Sequence, residues 1–122
     1  MEFILDQGSA TYQIESCDQG IIIVNKITYN YAIVVMPETL IAPWGPTSFL
    51  DLSPHHFEQL LTYQPQLVLF GSGDTLHFPH PKLFEVLTNH QIGVEVMDSK
   101  AACRTYTLLM AEGRNVAAAL LP

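Results

Sequence analysis

The chain is poor in positive charge. Only five of its 122 residues are Lys or Arg, against twelve Asp or Glu, for a formal net charge of -7. Phosphate backbones are bound by clustered Lys and Arg. These five are scattered, which argues against nucleic acid or an anionic membrane surface as partner. The imbalance is local. Residues 1–61 hold seven acids and one base, Lys26, whereas residues 62–122 hold five acids and four bases. Such a pattern suits a basic protein surface instead. Cysteine is also scarce. Cys17 and Cys103 show no paired spacing, so neither a disulfide framework nor a cysteine zinc site is expected, and a reducing compartment is the simpler setting. No apolar run approaches the ~20 residues of a membrane helix. The opening MEFILDQGSA lacks the positive and apolar regions of a signal peptide and the arginines of a transit peptide. The expectation is a cytoplasmic protein without membrane insertion.

What is present suits a globule. Hydrophobic residues make up 48% of the chain and charged residues 14%, which favours a packed core over disorder. A chain of this length is expected to form one domain, residues 1–122, and to bury roughly two-thirds of its unfolded surface without metal or disulfide staples. The first part reads as strands. Gly20–Val24 is β-branched and apolar, Asn25-Lys26 suits a turn, and Ile27–Met36 continues with Tyr29, Tyr31, Ile33 and Val35 at period two. Pro37-Glu38 breaks that run, Thr39–Ala42 can return as a short strand, and Pro43-Trp44-Gly45-Pro46 makes a stiff corner.

From Leu52 the rhythm turns helical. Ser53 is a good N-cap, Pro54 a good first residue, and Leu52 and Phe57 stand at staple positions. Pro65 ends this helix. The rest alternates: strand Leu67–Phe70, helix Pro81–His90, strand Val94–Met97, a helix capped by Asp98 or Ser99 and stopped near Gly113, and strand Val116–Leu121. Unbroken apolar runs suit strands covered on both faces, and this alternation implies right-handed crossovers with parallel pairing. The predicted fold is α/β in three layers, with a mixed, mainly parallel central sheet and an N-terminal β-meander.

Ligands of open parallel sheets sit beyond the carboxyl ends of strands. Two such ends are Gly71-Ser72-Gly73-Asp74 and Met97-Asp98-Ser99. If their strands are neighbours, both bends line one crevice. The free N–H groups of the helix beginning near Ser99 then point at it, with Arg104 ~7.5 Å along the axis. This makes a candidate site for a small anionic ligand from Gly71, Ser72, Gly73, Asp74, Ser99 and Arg104. The competing reading is a tight turn that needs its glycines only for conformation. No third glycine completes a dinucleotide fingerprint, since Leu76 stands there, and there is no phosphate-loop lysine. Arg104 is either a hook for that anion or a clamp to Asp74 or Asp98. Trp44 is either a lid over the sheet or a pocket wall.

No catalytic residue is assigned. Ser72, His77 and Asp74 contain the residue types of a triad without its local pattern. His77 and His80 are separated by Pro79, which prevents regular helical presentation to a metal, and adjacent His55 and His56 do not share a helix face. Neither a metal nor a cofactor is expected. Cys103 reads as a small buried core residue.

Three stretches carry a family resemblance: Val24-Asn25 through Pro43-Trp44, Leu69–Gly73, and Met97–Tyr106 with Ala111–Leu120. Together they resemble a domain-of-unknown-function family that includes the third assembly factor of mitochondrial respiratory complex I and many bacterial and archaeal proteins. The stretch from Ala102-Cys103-Arg104-Thr105-Tyr106 to Ala111-Glu112-Gly113-Arg114 is its most specific part. Ser72 replaces the family's usual threonine and keeps the hydroxyl, and Lys100 is a less usual, positively charged residue beside the helix start. The resemblance implies a three-layer α/β fold with a mixed sheet. It also implies a cleft built from the Gly-Ser-Gly loop, Trp44 and the Arg104 helix, and protein binding during complex assembly. Two functions follow as expectations. One is a non-enzymatic interaction or assembly factor for a respiratory or other multi-subunit complex, with protein partners. The other is a binding protein or enzyme that takes a small anion in the crevice.

Overall fold

The structure is a computed structural model that describes residues 11–122. The stretch MEFILDQGSA, read above as lacking a targeting signal, lies outside the described residues. The described chain opens with β1 (Ile14–Asp18), β2 (Ile21–Val24) and β3 (Ile27–Tyr29), which form a three-stranded antiparallel sheet in that order. Both connections are two-residue hairpins. Gln19 and Gly20 have φ of 52° and 78°, and Asn25 and Lys26 have 48° and 70°. Positive φ at both central positions matches the twist of the flanking strands.

β1 was not expected from the sequence. A register shift between Ile14 and Ser16 is a bulge, which inserts a residue and breaks the alternation. Ile14 and Cys17 are therefore both buried despite their odd spacing. The strand expected over Ile27–Met36 is also corrected. It divides at residues 30–32, and its second half, β4 (Ile33–Val35), enters a different sheet. At the break the Ala32 carbonyl accepts a hydrogen bond from the Trp44 backbone N–H at 2.8 Å rather than from a strand partner.

The central sheet has five strands in the order β5 (Leu40–Ile41), β4, β8 (Val116–Leu120), β6 (Leu67–Gly71), β7 (Gly93–Met97). β6 is parallel to both β7 and β8, whereas β4 is antiparallel to β8 and β5. The sheet is thus mixed. Each strand sends alternate residues to opposite faces. Val116, Ala118 and Leu120 join Leu69, Ile33 and Val35 on one face, beneath the helix α3 (Ser99–Ala111) and the small sheet. Ala117, Ala119, Val68, Phe70 and Val34 face the other way, toward α1 (Pro54–Glu58) and α2 (Glu85–Asn89). Every residue of β8 is buried, as its lack of polar residues requires.

Ser53 precedes α1, and its N–H donates to His56 Nδ1 at 3.0 Å. Leu52 and Phe57 share one core cluster. The helix expected over Pro81–His90 is corrected to a 3-10 turn, Pro81–Phe84, followed by the short α2. Phe84, the last residue of the turn, has φ -118°, ψ 20°, outside the helical region. Leu83, Phe84 and Leu87 still pack inward. Asp98 caps α3, its carboxylate accepting from the Ala101 N–H at 2.8 Å.

Candidate functional site

β6 and β7 are neighbours in register, with Gly71 opposite Met97, so their outgoing bends do meet. The contact is closer than a crevice. The Ser72 N–H donates to the Met97 carbonyl at 2.9 Å. The Gly73 N–H donates to Ser99 Oγ at 2.9 Å, and the Ser99 N–H donates back to the Gly73 carbonyl at 2.9 Å. Ser99 Oγ itself donates to the Leu121 carbonyl, while the Leu121 N–H donates to the Gly71 carbonyl at 3.0 Å. Amides that would cradle an anion are therefore engaged within the protein. They stitch the start of α3 to the ends of β6 and β8.

The glycines serve this stitch. A Cβ on Gly71 would stand 2.7 Å from Ser99 Oγ and 2.9 Å from both Ser99 Cα and Leu120 Cδ2. Gly73 has φ +106°, where a side chain is strained. Ser72 is 4% exposed, and its hydroxyl shapes the following loop: it donates to the Thr75 carbonyl at 2.7 Å and accepts from the His77 backbone N–H at 3.0 Å. The His77 imidazole turns elsewhere. Its Nε2 meets Thr75 Oγ1 at 2.9 Å, and its ring lies 5.4 Å from Phe49. Ser72, His77 and Asp74 thus form no nucleophile–base relay. Among the described residues, no three His, Cys, Asp or Glu side chains are grouped to hold a metal.

Beside this joint lies a hollow of about 240 Å³ lined by Asp18, Asp74, Asp98, Ser99, Lys100 and Pro122 among others. Three carboxylates against one ammonium make it an acidic place, and Lys100 Nζ is 3.4 Å from Asp18 Oδ1. Arg104 opens on a different hollow, of about 510 Å³, shared with Glu15, Cys17, Asp18, Lys100 and Cys103. Its side chain is exposed and, among the described residues, makes no ion pair with Asp74 or Asp98. Trp44 is on the opposite face of the sheet, 3% exposed. Its Nε1 donates to the His56 carbonyl at 2.9 Å, and its ring packs edge-on against Phe57 and Phe70 at 5.4 and 6.3 Å. The structure therefore brings together Gly71, Ser72, Gly73, Asp74 and Ser99, and separates them from Trp44 and from the Arg104 side chain. The three parts of the cleft that the resemblance implied thus lie apart, the glycine bend and Trp44 on opposite faces of the sheet.

Two features escaped sequence reasoning. Cys17 and Cys103 meet at the floor of the larger hollow, each less than a tenth exposed. Cys103 donates a sulfur hydrogen bond that lowers the Cys17 thiol below its usual range, against the raising effects of burial and of Asp74, Asp18 and Asp98. The same hydrogen bond, together with burial, pushes the Cys103 thiol up. The second feature is a group of exposed apolar side chains. Leu50 is 93% exposed, Phe78 71% and Leu76 50%. They leave adjacent segments, because Phe49 beside Leu50 touches His77 between Leu76 and Phe78.

These observations define a mixed α/β domain with a closed strand–helix joint and an open surface. The chain belongs to the family described as a protein of unknown function (DUF498/DUF598), matched over residues 14–121. It is similar to a protein from Bordetella parapertussis, whose crystal structure agrees with a TM-score of 0.87 at 36% identity over 93% of this chain and 98% of that one. It is also similar to NADH dehydrogenase (ubiquinone) 1 alpha subcomplex assembly factor 3 of Mus musculus, 32% identical over 91 residues, 73% of this chain and 49% of that protein. A third relative is the 13 kDa major membrane protein of Francisella tularensis, 24% identical over 104 residues, 84% of this chain and 85% of that protein. The chain spans about half the length of the assembly factors it matches. Among the described residues no helix is long and apolar enough to cross a membrane.

Proposed function

We propose that this chain is a non-enzymatic assembly factor that holds a protein subunit of a respiratory or other multi-subunit complex. The observation that carries the reading is the exposed group Leu50, Leu76 and Phe78. Large apolar side chains gathered on a surface mark interaction sites, and a few such anchors carry most of the energy of an interface. The net charge of -7 suits a partner with a basic rim around an apolar seat, since complementary charge steers encounter. The name of the mouse relative points the same way. So does the engagement of the Ser72 and Gly73 amides within the fold, which leaves little for a small anion to bind. Two free thiols suit a reducing compartment such as the cytoplasm.

The reading is tested in the organism that encodes the chain. Its gene is deleted, and assembled respiratory complex I is measured on native gels of the membranes. Deletion is expected to deplete the assembled complex, and the wild-type chain to restore it. The triple variant Leu50→Asp, Leu76→Asp, Phe78→Asp should keep the wild-type melting temperature and fail to restore it. Losing anchors worth about 2 kcal/mol each weakens a complex roughly thirtyfold per anchor. An undiminished complex after deletion contradicts the respiratory form of the reading, and full rescue by the folded triple variant contradicts the role of this surface.

A further inference from the structure

Cys17 and Cys103 are far apart in the sequence, yet the fold sets them in a row of paired contacts between residues 12–18 and α3. On one side, Lys100 Nζ lies 3.4 Å from Asp18 Oδ1. On the other, the Tyr106 hydroxyl donates to the Tyr12 carbonyl at 2.9 Å. Residues 100, 103 and 106 recur at one-turn spacing on a single helix face. The row therefore holds strand and helix at fixed separation above and below the sulfurs. Cys17 and Cys103 share one core cluster, and both border the 510 Å³ hollow with Lys100 and Arg104. The hollow gives both sulfurs a common approach from solvent, past two cations, Lys100 and Arg104, and two carboxylates, Glu15 and Asp18.

We propose that Cys17 and Cys103 are a reversible redox pair, oxidised to an intramolecular disulfide by a peroxide that enters this hollow. The role is independent of the protein-binding surface. The attacking sulfur is Cys17, which borders both this hollow and the neighbouring one of about 240 Å³ and so is the more open to an entering peroxide; it reacts as the thiolate, the good nucleophile. It attacks one peroxide oxygen and the O–O bond breaks. Cys17 becomes a sulfenic acid, and hydroxide leaves and takes a proton to become water. The Cys103 sulfur then attacks the Cys17 sulfur. The S–O bond breaks, the S–S bond forms, and the departing hydroxide takes the Cys103 proton and leaves as a second water. In sum, two thiols and one hydrogen peroxide give one disulfide and two waters. Each sulfur has lost one electron to the peroxide oxygens. A dithiol reductant reverses the step by thiol–disulfide exchange. The bond would fasten the small sheet to α3.

The test treats the reduced, folded protein with hydrogen peroxide at a small molar excess and follows intact mass. The expected result is loss of two hydrogen masses, a peptide map with Cys17 joined to Cys103, and full return with dithiothreitol. In Cys103→Ser, Cys17 should be trapped as a sulfenic acid by dimedone. In Cys17→Ser, Cys103 should react at least tenfold more slowly than Cys17 does, a thiol without its thiolate being a poor nucleophile. The wild-type mass measurement stands even where a variant fails to fold. Overturning results are an unchanged mass while the urea-unfolded chain oxidises, disulfides between two chains in place of the internal one, or faster reaction at Cys103.

Discussion

Gly71→Ala is expected to lower stability by about 3 kcal/mol, the upper end of what overpacking costs in a close-packed interior. The added methyl has nowhere to go. Its contacts at 2.7 and 2.9 Å include Ser99 Cα, which is backbone and cannot rotate aside. Relief requires the start of α3 to lift from the end of β6. That movement stretches the reciprocal bonds between Gly73 and Ser99 and the contact of Ser99 Oγ with Leu121, leaving polar groups unpaired in a buried place. Equilibrium urea unfolding should show the loss as a lower midpoint at unchanged slope. A shift of less than about 0.5 kcal/mol, the scale of an unconstrained surface site, would mean that the joint is looser than these distances state.

Trp44→Ala should cost about 3–5 kcal/mol, the usual range for deleting a large buried aromatic. Two losses combine at this site. The indole fills the space between Phe57 and Phe70. Its Nε1 donates to the His56 carbonyl, which also accepts from the Gln59 side-chain amide at 3.2 Å. The backbone carbonyl of residue 44, which accepts from the same amide at 3.2 Å, is kept by the substitution. Total stabilities of small domains are about 5–15 kcal/mol, so the variant should sit near the edge of folding. Thermal unfolding followed by circular dichroism checks it. A melting temperature within a few degrees of wild type would place Trp44 outside the core.

The half of the fold from Leu67 onward was legible because its signals are local. β6, β7 and β8 are short apolar runs between turn residues, and Asp98 stands where a helix cap belongs. Their pairing entered the sequence reading only as a condition, and on that condition the meeting of the Gly71–Asp74 bend with Ser99 was legible too. Whether that meeting is a crevice or a joint was not. The answer lies in which donors the Ser99 hydroxyl and the Met97 carbonyl engage, a matter of tenths of an ångström. The first half was harder. A bulge hid β1, since period-two reading fails where an extra residue enters. The apolar alternation of Ile27–Met36 gives no hint of the break that Trp44 makes by bonding to Ala32. Trp44 itself could not be assigned a face, and the Cys17–Cys103 contact joins segments that no local pattern connects.

The glycine turn holds β6 to α3 through amides that already have partners within the fold. The most direct measurement is a titration of the isotope-labelled protein with inorganic phosphate, followed by the backbone amide resonances of Ser72, Gly73 and Ser99. These amides are expected to stay unmoved, and the Gly73 and Ser99 amides to exchange with solvent only as slowly as neighbouring core amides. Saturable shifts at Ser72 and Gly73, relieved by Arg104→Met, would contradict the claim and restore the anion crevice.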